Sequence, residues 1–139
     1  MSNDVHQEVT DLVRKHKITD PFELAQRMNI NVWFLDLPDG VRGYYYRVLN
    51  RRYIAINKNY PYEIQCFVCA HELGHDRLHP GMGYYFIEDN TLFNPGKFER
   101  QANRFAVLLL TYNADAIEGE TIEQFYARHS IPKEIIGKI

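Results

Sequence analysis

Apolar residues recur every three or four positions in two stretches of the chain, which is the spacing of one face of an α-helix. In the first stretch, which predicts a helix over residues 4–16, these are Val5, Val9, Leu12 and Val13. In the second, which predicts a helix from Lys97 or Phe98 to Leu110, these are Phe98, Ala102, Phe105 and Leu109. We expect both helices to pack their apolar face against a core.

Two more helices are predicted from the residues at their ends. The run Asp20-Pro21-Phe22-Glu23 is typical of a helix start, and this helix should reach about Met28. A longer helix is predicted over Tyr62 to His79, ended by Pro80-Gly81.

Three tracts rich in aromatic and β-branched residues predict strands: Asn31 to Leu37, Val41 to Leu49, and Tyr53 to Ile56. We predict an α+β fold in which they form a small antiparallel three-stranded sheet packed with the predicted helices. The tyrosines Tyr44-Tyr45-Tyr46 are expected mainly to pack, although one strand could offer an edge to an extended peptide. Residues 80–97 show no periodicity and are predicted to be a long, functional loop.

The chain has 139 residues, which fits a single domain over 1–139, with a core of about 20–110 and a helical C-terminal extension of about 119–139. In that extension, Thr121-Ile122-Glu123-Gln124 is a capping box for a helix to about Arg128, and a last short helix should follow Ser130-Ile131-Pro132.

The net charge of −2 and the lack of a basic block argue against direct nucleic-acid or membrane binding. A strand, not a recognition helix, follows the first two predicted helices, which also argues against DNA binding. The polar N-terminus shows no signal-peptide pattern, so we expect a cytoplasmic protein. Cys66 and Cys69 are too few for a four-cysteine zinc site, and we expect two reduced, packed thiols.

The segment His71-Glu72-Leu73-Gly74-His75 is an H-E-x-x-H motif. Two histidines four residues apart lie on one helix face, where both can bind one Zn²⁺, and the glutamate between them can act as a general base. A catalytic zinc ion takes three protein ligands and leaves one position for water, so a third ligand must come from elsewhere.

His79 lies one turn further along the same helix face, but it is eight residues, or about 12 Å, from His71, which is too far for a shared ion. We expect His79 to support the site from outside the ligand set, or to be simply a residue at the helix end. The metzincin spacing is excluded, because it needs glycine at 78 and histidine at 81, where this chain has Leu78 and Gly81.

Glu99 opens the next strong helix, 24 residues after His75, and is the preferred third ligand. Asn103 lies four residues later on the same face, and its side-chain oxygen could accept the free N–H of a ligating histidine. The alternative is an ordinary solvent-facing glutamate near a helix start, where acidic residues are favoured in any case.

Together, the motif with His79, Glu99, Ala102-Asn103 and Phe105-Ala106 resembles the ImmA/IrrE family of metallopeptidases, over roughly residues 20–110. The chain looks like the compact, phage or mobile-element type. The resemblance implies a gluzincin-like zinc site with His71, His75 and Glu99 as ligands and Glu72 as base. It also implies a protein substrate, namely a helix-turn-helix repressor that is cleaved to release transcription.

Two other functions remain open at the sequence level. The protein could be a zinc-containing module that regulates a repressor by contact without cleavage, although Glu72 argues against a purely structural site. It could also be a toxin–antitoxin-associated peptidase with another target. For the oxyanion-stabilising donor, Tyr84, Tyr85 or a strand tyrosine are candidates that the sequence does not separate.

Overall fold

The structure is a computed structural model that describes residues 4–79, 84–87 and 96–139, with the backbone alone at 84–87. Its elements, in chain order, are α1 Val5–His16, α2 Pro21–Arg27, β1 Asn31–Leu35, β2 Val41–Val48, β3 Arg51–Asn57, α3 Tyr62–Leu78, β4 Tyr84–Ile87, α4 Lys97–Leu110, α5 Ile122–Ala127 and a 3-10 turn Lys133–Ile135. The predicted α+β class is confirmed, and each predicted helix is present within one or two residues of its expected bounds, apart from the last.

The helix ends form where the side chains predict them. Asp20 caps α2 by accepting a hydrogen bond from the Glu23 backbone N–H. At α5, Thr121 and Gln124 form the predicted reciprocal capping box. The last predicted helix is only a 3-10 turn that follows Pro132. The predicted stop of the motif helix at Pro80-Gly81 lies outside the described residues.

The sheet differs from the prediction in strand direction and strand number. Its order is β1-β3-β2-β4, and β1 pairs in parallel with β3, so the predicted all-antiparallel arrangement was wrong. From β1 to β3 each strand does reverse direction, but β3 lies between β1 and β2 because it carries the fully buried Ile54 and Ile56, whereas β1 has only exposed and half-buried residues. β4 adds a fourth strand within the predicted loop. It was not predicted because its four residues do not alternate between apolar and polar.

Helix α3 lies between the sheet and α4, and at both contacts the chain has a glycine. A Cβ atom at Gly43 in β2 would lie 2.6 Å from Val68 Cγ1 of α3 and 2.6 Å from the Ala55 carbonyl oxygen. A Cβ atom at Gly74 of α3 would lie 3.0 Å from Phe105 Cβ of α4. The two glycines therefore let the motif helix approach the sheet and α4 closely.

The core also includes Ile131 and Ile135 from the C-terminal residues, both nearly fully buried with the apolar side chains of α3 and α4. Cys66 and Cys69 are buried free thiols, as predicted. Burial raises the pKa of the Cys66 thiol to about 11 and that of Cys69 well above its usual value, which makes both poor nucleophiles. The division of the chain into core and extension stays a prediction.

Among the described residues, no helix is both long enough and apolar enough to cross a membrane.

Candidate metal centre

The motif histidines lie on the buried part of α3. His71 is 1% exposed and His75 is fully buried, because α3 packs between the sheet and α4 and leaves little of this surface to solvent. The side chains of His71, Glu72 and His75 offer ligand atoms that lie within 4.8 Å of one another. The motif therefore brings three potential metal-binding groups to one place in the core.

Glu99 lies at the start of α4, directly opposite the two histidines. Its Oε1 is 3.0 Å from His71 Nε2, and its Oε2 is 3.2 Å from His75 Nε2. One carboxylate of α4 thus contacts the Nε2 atoms of both histidines of α3. This is the position that the sequence predicts for a third ligand.

Asn103 lies one turn after Glu99 and contacts the opposite nitrogen of His71. The distance from His71 Nδ1 to Asn103 Oδ1 is 2.8 Å, and Asn103 Nδ2 donates to the Lys138 carbonyl oxygen at 2.7 Å. Because only the NH₂ end of an amide can donate to a carbonyl, the Lys138 contact points the amide oxygen at His71. In the neutral ring His71 Nδ1 then carries the hydrogen, which leaves the lone pair on Nε2, the atom that faces Glu99.

His79 makes the corresponding contact with His75. Their Nδ1 atoms are 3.0 Å apart, and His79 Nε2 is 2.7 Å from Gln101 Oε1. The His79 ring also packs against Phe98, with 4.2 Å between ring centroids. The structure therefore places His79 at Nδ1 of His75, whereas Glu99 contacts Nε2 of the same ring.

Burial and hydrogen bonding set the charges of these groups. Burial lowers the pKa of His75 to about 4, so its imidazole is neutral near pH 7, as metal binding requires. Burial alone would raise the pKa of Glu99, but its contacts with the His71 and His75 rings lower it to about 2, so Glu99 is ionised. Two imidazole nitrogens and one ionised carboxylate meet here, and this donor set fits a metal ion.

Glu72 is fully buried, and neither of its carboxylate oxygens has a hydrogen-bond partner among the described residues. Burial, and then the nearby charge of Glu99, raises the pKa of Glu72 well above its usual value. An unsatisfied buried carboxylate is costly, and such groups are found mainly where they have a chemical role. Glu72 therefore suits the role of proton acceptor for a molecule bound beside these side chains.

A second buried polar cluster, which sequence reasoning missed, ties the same helix to the sheet. Asp76 follows His75 and accepts hydrogen bonds from both Arg52 Nη1, at 2.9 Å to Oδ2, and the Tyr45 hydroxyl, at 2.7 Å to Oδ1. Arg52 also donates to the Met28 carbonyl at the end of α2. Because the Tyr45 hydroxyl is bound to Asp76, it is a poor candidate for the oxyanion donor.

Tyr84 and Tyr85 are also candidates for that donor, but the structure describes only the backbone of these two residues. In the backbone, β4 pairs with β2 in antiparallel orientation, with Tyr85 opposite Tyr44. The choice of oxyanion donor stays open.

The chain matches the family model Peptidase_M78, described as the IrrE N-terminal-like domain, over residues 25–133. The match reaches well past residue 110, where the resemblance was expected to end, and stops at the first residue of the 3-10 turn.

The chain is also similar to an uncharacterized immunity region protein 2 of Bacillus phage phi105. The two are 43% identical over 102 residues, which are 73% of this chain and 65% of that relative, so the match spans less than two thirds of the phage protein. No solved structure matches the chain. The family model covers most of the sequence, and the chain therefore belongs to the Peptidase_M78 family.

Proposed function

We propose that this protein is a zinc-dependent endopeptidase in which His71, His75 and Glu99 bind the metal and Glu72 is the catalytic base. The observation that carries the proposal is the contact of one Glu99 carboxylate with the Nε2 atoms of both motif histidines, beside a buried and unsatisfied Glu72. Two imidazoles and one carboxylate form a ligand set known from catalytic zinc sites, which keep a fourth position open for water. Membership of a peptidase family supports the same reaction.

Each side chain of the proposed centre would have a separate role in peptide hydrolysis. A zinc ion bound here would supply Lewis acidity and would lower the pKa of a bound water to about 7. Glu72 would accept a proton from the attacking water at its carboxylate and pass it to the leaving amine. Burial raises the pKa of Glu72, which makes this carboxylate a stronger base than an exposed one. Asn103 and His79 would hold the rings of His71 and His75 in the orientation that points Nε2 at the metal.

For the substrate, we propose a helix-turn-helix repressor in the cytoplasm, whose cleavage would release transcription. The resemblance to the ImmA/IrrE family supports this choice, as does similarity to a phage protein named for an immunity region. The net charge of −2 is consistent with an activity that acts on a protein partner and not on nucleic acid directly.

The Glu72→Gln variant tests the proposal. Glutamine keeps the size of the side chain but cannot act as a base, so this variant should still bind zinc and should lose at least roughly 100-fold in cleavage rate. Each form would be co-expressed with a repressor encoded beside its gene, and the repressor fragments would be identified by mass spectrometry.

A reporter gene under that repressor gives the second measurement and tests regulation by contact alone. Glu118→Gln, the same change at an exposed position, is the matched control and should behave as the wild type. If Glu72→Gln released repression as fully as the control, proteolysis would not be the function.

A further inference from the structure

We infer that Gln101 is a positioning residue that selects the tautomer of His75 through His79. This inference rests on the proposed metal centre and extends it by one residue that the sequence did not single out. Gln101 lies on α4, two residues after Glu99, and touches neither His71 nor His75 in the contacts described above. Its role would be to decide which nitrogen of His75 carries a lone pair.

The hydrogen bonds form a chain with a defined direction. Gln101 Oε1 lies 2.7 Å from His79 Nε2, and an amide oxygen can only accept, so His79 Nε2 carries the hydrogen. In a neutral imidazole the other nitrogen is then an acceptor, so His79 Nδ1 accepts from His75 Nδ1 at 3.0 Å. With its hydrogen on Nδ1, His75 directs the Nε2 lone pair towards Glu99, 3.2 Å away.

The reverse arrangement would remove a metal ligand. If His79 donated from Nδ1 to His75, a neutral His75 would carry its hydrogen on Nε2 and could not bind a metal through that atom. The hydrogen bonds through His79 could run in either direction, because each of its two ring nitrogens can donate or accept. In the structure the amide oxygen of Gln101 faces His79 Nε2, and this orientation of the amide sets the direction of the hydrogen bonds.

His71 shows the same design with different residues. Its Nδ1 contacts Asn103, whose amide orientation is set by the Lys138 carbonyl. In both cases a ring contacts a polar partner, and the partner is oriented by a third group. Helix α4 supplies Glu99, Gln101 and Asn103 within five residues, so one helix provides both a proposed ligand and the orientation of the other two.

The direct test is the tautomer of His79, read from long-range ¹H–¹⁵N spectra of the imidazole nitrogens, above the usual histidine pKa of about 6.5. We expect the Nε2–H form of His79 in protein with and without zinc, and an Nδ1–H form of zinc-bound His75. An Nδ1–H form of His79 would overturn the inference. Since the metal-free spectrum suffices for His79, a failure to bind zinc would count against the proposed function without deciding this point.

Variants at position 101 give the second test, with zinc affinity measured by competition with a chelator. Gln101→Met has no acceptor and should weaken zinc binding by roughly 10–100-fold, as is typical when the hydrogen-bond partner of a ligand is lost. Gln101→Glu keeps an acceptor facing His79 and should stay within a few-fold of the wild type. Arg104→Met, on the exposed face of the same helix, is the control for the substitution itself. Wild-type affinity in Gln101→Met would refute the positioning role.

Discussion

Glu99 makes the contact on which the proposed centre depends most. We predict that Glu99→Gln weakens zinc binding by more than the roughly 10–100-fold typical of a lost supporting contact, because the amide cannot bring a negative charge to the two nitrogens. Chelator competition measures the affinity, and Glu118→Gln is again the matched exposed control. Equal affinities in the two variants would show that the third ligand is another residue.

The buried cluster around Asp76 gives a second prediction, this time for stability. Tyr45→Phe removes one hydrogen bond to a buried carboxylate and should cost about 1.5–3 kcal/mol of unfolding free energy, the range for bonds to charged groups. Tyr46→Phe makes the same change in a side chain that lies half-buried in the next position of β2.

Urea denaturation of the two variants is the measurement. Tyr46→Phe should change the unfolding free energy by less than about 0.5 kcal/mol, as surface substitutions usually do. A loss in Tyr45→Phe no larger than that in Tyr46→Phe would mean that Arg52 alone satisfies Asp76.

The residues of the site differ in how far they could be predicted. His71, Glu72 and His75 follow from spacing within one helix, and Glu99 and Asn103 from a second helix whose start is marked in the sequence. Asp76 could not be foreseen, because its partners Arg52 and Tyr45 lie 24 and 31 residues away and are brought close only by the fold.

At the scale of elements, local signals were sufficient for the helices and insufficient for the sheet. Caps and apolar spacing act within a few residues, so α2 and α5 begin where Asp20 and Thr121 predict. Strand order depends instead on which strand is most apolar on its buried face, and on how α3 covers it. This comparison between strands placed β3 between β1 and β2, and no pattern within a single strand indicates the order.

The ion pair between Arg42 and Glu134 ties the C-terminal 3-10 turn to β2, with 2.7 Å between Arg42 Nη2 and Glu134 Oε2. Burial alone would raise the pKa of Glu134, but the hydrogen bond with Arg42 lowers it below its usual 4.5. The native state therefore binds this proton more weakly than the unfolded state does. Its contribution to stability is full above pH 4.5 and is lost as the pH falls through the lowered pKa.

We therefore predict that Glu134→Gln is less stable than the wild type at pH 7, and that the difference shrinks below pH 4.5. Because half of the Glu134 side chain is exposed, the effect should be small. Denaturant midpoints of both proteins across this range are the measurement. A difference that stayed constant with pH would indicate lost packing and not lost charge.

For the whole molecule, the proposed ligands couple metal binding to folding. His71 and His75 belong to α3 and Glu99 to α4, so the centre exists only when the two helices are docked. Zinc should therefore raise the melting temperature, with about 2.7 kcal/mol of added stability at a free concentration 100 times the Kd. A chelator should reverse this rise.

Variants at Glu72 and Glu99 show which residues the zinc-dependent rise in melting temperature depends on. Glu72→Gln should keep the zinc-dependent rise in melting temperature, since Glu72 is not a proposed ligand, whereas Glu99→Gln should lose most of it. A rise of equal size in both variants would mean that zinc binds elsewhere on the native protein.

The two glycines where α3 meets its neighbours have a consequence for reading genetic data. Even one methyl group at Gly43 or Gly74 would meet atoms of Ala55 and Val68, or of Phe105, at 2.6–3.0 Å. Loss-of-function alleles should therefore accumulate at positions 43 and 74 as readily as at the motif histidines. Neither glycine bears a reactive group, so a map of inactivating alleles alone would overstate the size of the active site.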